Sequence, residues 1–279
     1  MKKIFIVGCP RSGTTLLQSL LASHPDIVSF PETHLFSKTI HISPIVRFFT
    51  VYGSKHLRKS DHIMEEFGLS SDQSLKRDQK IYRTQRWAEI LLQKLDEIGQ
   101  HYAEDDEGYL LEKTPRHLHY VDLIHNADPE AYFIHLIRNG ENVVASLSQA
   151  TGNHPGKWSG DRSLSKSVFW WNRSIKLSRK YIGKPKNVHV RYENLLEDPA
   201  SVLQYICEFI GIDYHENMVH DYHHTASSLI NKEESWKSKN TKKVLNTSNK
   251  FKNLPEKQQE NVLKGLVNFD YKQIDMSNY

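Results

Sequence analysis

Apolar and polar positions alternate in period along the chain, and the period changes mark its elements. Lys3 to Val7 is a short β-branched run with no polar residue inside, the pattern of a buried parallel strand. Gly8 to Gly13 reads as a turn. From Thr14 to Ser23, leucines at 16, 17, 20 and 21 fall on one helical face, and Pro25 closes that helix. Ile27 to Phe30 fits a second strand, and Gln79 to Ile98 a helix with Ile81, Ile90, Leu91, Leu95 and Ile98 apolar. Tyr109 to Leu111 and Ala131 to Ile137 are further strands. Asn139 is the expected N-cap of the helix after the latter.

Residues 151 to 166 are rich in Gly, Ser, Asn and Lys and read as a loop. Ser167 to Tyr181 reads as a helix with Phe169, Trp170 and Trp171 as core candidates. Val188 to Val190 is a strand, Ala200 to Ile210 a helix, 231 to 250 a polar Lys-rich loop, and Glu256 to Val267 a last helix. Residues 35 to 78 carry no legible period. Short strands alternating with helices predict an α/β fold with a parallel sheet covered on both faces. There is no repeat and no linker, so one domain spanning 1–279 is expected.

Composition narrows the function. The chain has 279 residues, 38% hydrophobic and 25% charged, with a formal net charge of +4. That charge is weak for a nucleic-acid-binding domain, so any anion site must come from local clusters. Two cysteines form no disulfide framework or metal spacing and favour a reducing compartment. The apolar run at Ile4 to Cys9 is too short for a signal peptide, and no later stretch approaches a membrane span. A cytoplasmic protein is expected. His220, His223 and His224 stand at helical spacing without an obvious carboxylate partner, so no metal site is expected there.

The chemistry concentrates at strand ends. Gly8-Cys9-Pro10-Arg11-Ser12-Gly13-Thr14-Thr15 joins a strand to a helix with G-x-x-x-x-G spacing. Glycines let backbone N–H groups converge at a helix N-terminus, which favours an anion. Arg11 adds charge, and Ser12, Thr14 and Thr15 add hydroxyls. Thr14 occupies the place of the lysine that reaches a triphosphate in a Walker A loop. The strand at 131–137 ends in Arg138, where a magnesium-holding Asp would stand. The site is therefore expected to bind an anion without a metal.

Pro10-Arg11-Ser12-Gly13-Thr14-Thr15 resembles the 5′-phosphosulfate loop of sulfotransferases that use 3′-phosphoadenosine 5′-phosphosulfate (PAPS), especially the branch of protein-tyrosine and bacterial carbohydrate sulfotransferases. The resemblance implies a P-loop NTPase-like fold and a sulfuryl transfer to a hydroxyl of a carbohydrate, lipid, small molecule or peptide. Arg138, with Ser146 eight residues on, resembles the 3′-phosphate motif. Arg138 can form a bidentate phosphate pair, or pair with Glu141 instead. Tyr192 lies in a Y-E-x-L segment, Tyr192-Glu193-Asn194-Leu195, whose Tyr contacts the nucleotide in the family; Glu193 is expected to fix local structure. Ser235 and Lys250 match a loose spacing of residues that reach the cofactor, or else belong to a solvated basic loop.

Glu32, in Pro31-Glu32-Thr33-His34, matches the glutamate base of the tyrosine branch. Lys113, in Leu111-Glu112-Lys113-Thr114-Pro115, matches the lysine that neutralises the bridging oxygen. Pro115 stands where the small-molecule branch has its histidine base, which favours Glu32, with His117 and His34 as the next candidates. The tyrosine branch has an Arg where this chain has His34. The competing readings are a P-loop kinase-like enzyme and a non-catalytic nucleotide-binding protein.

Overall fold

In a computed structural model the described residues are 1–70, 82–103, 108–153, 162–229 and 250–274. Five parallel strands form one sheet in the order β2-β3-β1-β4-β5. They are β1 (Lys2–Gly8), β2 (Ile27–Ser29), β3 (Tyr109–Lys113), β4 (Tyr132–Ile137) and β5 (Asn187–Arg191). Side chains alternate across the pleat. Phe5, Val7, Leu110 and Phe133 face one helical layer; Ile4, Ile6, Leu111, Ile134 and Val188 face the other. Both layers are needed because every β1 position from Lys3 to Gly8 is buried.

The first layer contains α2 (Leu35–Thr39), α3 (Pro44–Phe49), α4 (Ser54–Glu66), α5 (Thr84–Tyr102), a 3₁₀ turn at Pro115–Tyr120 and α6 (Val121–Ala127). The opposite layer contains α1 (Thr14–Leu21), α9 (Tyr192–Glu197), α10 (Pro199–Ile210), α11 (Asn217–His220) and α12 (Tyr222–Ser228). A third cluster joins α7 (Gly140–Asn153), α8 (Leu164–Ser178) and α13 (Glu256–Gly265) over Cys9 and Ile137. No described helix is long and apolar enough to cross a membrane.

Several expected boundaries move. The helix expected over 79–98 runs from Thr84 to Tyr102; positions 79 to 81 lie outside the described residues. The loop expected over 151–166 is shorter, because α7 continues to Asn153 and α8 begins at Leu164, where Ser163 accepts from the Lys166 N–H. Of the three aromatic core candidates on α8, only Trp171 is buried; Phe169 is 56% exposed. Adjacent helical positions point about 100° apart, so three in a row cannot all face one core. The last helix stops at Gly265, whose carbonyl accepts from Asn172 Nδ2 while Asn172 Oδ1 accepts from the Val267 N–H. The illegible stretch from 35 to 66 holds three helices, two of them five or six residues long.

Candidate active site

Sheet topology brings the motif residues to one edge. Strands β1, β3 and β4 are parallel neighbours, so their C-terminal ends lie side by side. In register, Ile6 stands beside Lys113 and Gly8 beside Leu136. A Cβ on Gly8 would lie 2.6 Å from the Leu136 carbonyl oxygen, so glycine permits β1 to pass so close to β4.

The turn after β1 places Arg11 at φ 74° and Gly13 at φ 95°, both left-handed. Gly13 also faces the Tyr192 ring, where a Cβ would lie 2.1 Å from a ring carbon. Thr14 then opens α1. Ser12 is buried, and its Oγ has no hydrogen-bond partner. Arg11 reaches across to α7, where its Nε lies 3.4 Å from Ser146 Oγ. The phosphosulfate-like turn and the Arg138–Ser146 motif are thus one contiguous surface.

Arg138 is 8% exposed, and its guanidinium stacks 4.4 Å from the centre of the Tyr192 ring. Among the described residues its buried Nε has no hydrogen-bond partner, and no ion pair joins it to Glu141. Burial holds the Tyr192 phenol above its usual range, so the ring stays neutral beneath the cation. Glu193 accepts from the Asn139 N–H at 3.1 Å and lies 3.4 Å from Arg191 Nε, fixing the start of α7 against β5.

Glu32 and Lys113 meet. Lys113 Nζ donates to Glu32 Oε1 at 2.5 Å and lies 3.4 Å from Thr15 Oγ1. The ammonium, 2% exposed, therefore bridges the carboxylate and the anion-binding turn. Position 14 lacks a Walker lysine, yet β3 delivers a lysine to the same turn. The buried Gln18 of α1 holds the approach to Glu32: its Nε2 donates to Ser29 Oγ at 3.0 Å and to the Phe30 carbonyl at 2.8 Å. His34 Nε2 lies 3.5 Å from Glu32 Oε2. Burial lowers the His34 pKa, with Glu32 partly opposing it, so the ring is neutral at neutral pH.

Glu112 was not among the candidates read from the sequence. Glu112 is fully buried and accepts from Thr33 Oγ1, Thr114 N, Thr114 Oγ1 and His117 Nδ1. Burial pushes its carboxyl up, but the His117 charge and these bonds outweigh that and hold it below the usual range. The hub ties the Glu32 loop to the Lys113 strand. A buried charge inside an apolar strand was the available signal. It also commits His117, itself 1% exposed, to Glu112 rather than to an acceptor.

Lys250 is half-buried and lines a cavity of about 290 Å³ with Ala145, Ser148 and Gln149 of α7; Ser146 is not among its lining residues. Ser235 lies outside the described residues. Among the described residues no group of three His, Cys, Asp or Glu side chains is arranged to hold a metal.

A parallel sheet with a glycine turn between its first strand and helix, and a buried arginine at the same C-terminal edge, defines a P-loop NTPase-like α/β fold. Residues 3–216 match the sulfotransferase family, and the chain belongs to that family. It is 31% identical over 148 residues to the nodulation protein NoeE of Sinorhizobium fredii, covering 53% of this chain and 31% of that one. It is 25% identical over 224 residues to protein-tyrosine sulfotransferase 2 of Gallus gallus, covering 79% and 54%. The chain thus spans about a third to a half of the length of these relatives. The fold is that of the sulfotransferase domain of the Synechococcus PCC 7002 olefin synthase, with TM-score 0.60, 22% identity, and 95% and 93% of the two chains covered. A mouse sulfotransferase solved in complex with PAP (adenosine 3′,5′-bisphosphate) gives TM-score 0.54 at 13% identity, covering 95% and 82%.

Ser12 Oγ and Arg138 Nε are buried polar atoms with no hydrogen-bond partner among the described residues, as positions that take up an anion would be, and glycine at 13 makes room for the Tyr192 ring.

Proposed function

We propose that the chain transfers the sulfuryl group of PAPS to a hydroxyl, with Glu32 as base and no metal. The observation that carries this is the position of Lys113 Nζ, bonded to Glu32 and next to Thr15 of the anion-binding turn. A carboxylate and a cation in contact beside that turn support a reading in which one serves the acceptor and the other the donor.

The donor supplies an activated sulfuryl group whose leaving oxygen belongs to a phosphate. The 10–15 turn, with Arg11, Ser12, Gly13, Thr14 and Thr15, holds the 5′ end. Arg138 and Ser146 hold the 3′-phosphate, with Tyr192 supporting Arg138 and Gly13 from below. Lys250 contributes from the α7 side, and Ser235 is assigned with it from the sequence spacing. Glu32 takes the proton of the acceptor hydroxyl as that oxygen bonds to sulfur. Lys113 turns its charge from Glu32 to the departing oxygen. Preorganised charge of this kind dominates in-line transfers.

The acceptor is a hydroxyl of a carbohydrate, lipid, small molecule or peptide. Relatives in the comparisons include protein-tyrosine sulfotransferases, and His34 replaces the arginine that the resemblance implies for that branch. A kinase-like reading would need a cation at position 14 and an acidic residue at 138, where Thr14 and Arg138 stand. A non-catalytic binder would have no use for the Glu32–Lys113 pair.

Glu32→Gln tests the assignment. The amide keeps the shape but accepts no proton. Turnover of a weakly acidic alcohol should fall on the order of 10²-fold or more, with PAP affinity nearly unchanged. Wild-type turnover in this variant would move the base elsewhere, with His34 the next residue to examine.

A further inference from the structure

Helix α3 is built inside out. Its one charged side chain, Arg47, turns inward and is 8% exposed, while Ile45, Phe48 and Phe49 are 73%, 74% and 76% exposed. The inward arginine is firmly held. Its Nε donates to the His41 carbonyl at 2.7 Å, and its Nη2 to the Ile42 and His119 carbonyls at 2.8 and 2.7 Å. The guanidinium lies 4.5 Å from the Tyr120 ring centre, and Thr84 Oγ1 donates to the Arg47 carbonyl at 2.6 Å. The outward display of Phe48 and Phe49 is therefore fixed by hydrogen bonds, although exposing such rings to water is unfavourable.

Charge along this segment of the chain is one-sided, with Asp122 of α6 the acidic group near Arg47. No acidic residue occurs between Glu32 and Asp61. Exposed Lys55, Arg58 and Lys59 follow in the first two turns of α4. Lys55 sits in the first turn, where the helix dipole disfavours a cation. A convex aromatic tip beside unopposed basic side chains matches an anionic bilayer: rings enter the headgroup boundary and cations meet lipid phosphates. A second copy of this chain is a poorer fit, since a six-residue helix falls far short of the roughly 20–30 residues a standard interface uses on each side.

We propose that α3 and the start of α4 dock the protein on an anionic lipid surface through Phe48, Phe49, Lys55, Arg58 and Lys59. The site is independent of the catalytic assignment; in chain order α2 alone separates α3 from the Glu32–His34 segment.

The test is co-sedimentation of the full chain with vesicles of phosphatidylcholine and phosphatidylglycerol at roughly 3:1, against phosphatidylcholine alone. Binding to the mixed vesicles only is expected, with loss at high salt. Phe48→Ser with Phe49→Ser, and separately Lys55→Ser with Arg58→Ser and Lys59→Ser, should each weaken it at least about tenfold. These exposed positions should leave the melting temperature and nucleotide binding unchanged. Equal binding by both variants, or none by the wild type, overturns the proposal. Self-association without vesicle binding, abolished by the double serine variant, would assign the tip to a protein interface instead.

Discussion

Arg138 carries the most separable task in the site. Its guanidinium is buried on Tyr192 with an Nε unpartnered among the described residues, so the Tyr192 ring offsets part of its desolvation and a bound anion would offset more. Arg138→Ala should weaken PAP binding by roughly 2–3 kcal/mol, the range of a lost charge-assisted contact. It should also bind adenosine 5′-phosphate almost as well as PAP. Isothermal titration of both ligands reads this directly, and a variant that keeps the wild-type preference would remove Arg138 as the reader of the 3′-phosphate. Most such residues were legible in the sequence because each stands at a strand end with a flanking turn. Glu112 was not, because its role depends on Thr33, which lies distant in sequence and meets it only when β2 lies beside β3. The mutual contact of Glu32 and Lys113 was hidden for the same reason.

At the scale of elements, β4 and β5 share a buried imidazole pair. The His135 and His189 rings stack 4.5 Å apart. Burial lowers His189 to about 4 and holds His135 well below the usual range, with each other's charge a further cause for His135. Both are neutral when folded, while in the unfolded chain they take up protons below about pH 6.5. Their contribution to stability is therefore complete above about pH 6.5 and is lost as pH falls toward 4. The urea midpoint should drop between neutral pH and the low fives. His189→Gln, which keeps a donor for the Ser178 carbonyl, should flatten that drop; an unchanged slope would mean that other groups drive acid unfolding. Strands such as β1 and β4 were readable because both their faces are buried and their runs are mostly apolar. Helices α2 and α3 were not: five or six residues give less than two turns of periodicity, and α3 reverses the usual polarity. Phe169 misled for a related reason, since hydrophobicity alone does not say which side of α8 faces the core.

Across the whole molecule, two apolar layers fix one parallel sheet, and the sheet edge assembles residues that span the sequence from Arg11 to Tyr192. A ligand that touches the turn, α7 and Tyr192 at once should stabilise all of them together. At about 100 times its Kd it adds about 2.7 kcal/mol to the folded state. For a chain of this size that raises Tm by about 5 °C. Thermal unfolding in the presence of EDTA, with PAP compared against ATP in excess Mg²⁺, is the most direct check of a metal-free bisphosphate site. The account predicts a large shift with PAP in EDTA and little with ATP and Mg²⁺. A larger shift with ATP and Mg²⁺, or none with PAP, would contradict it.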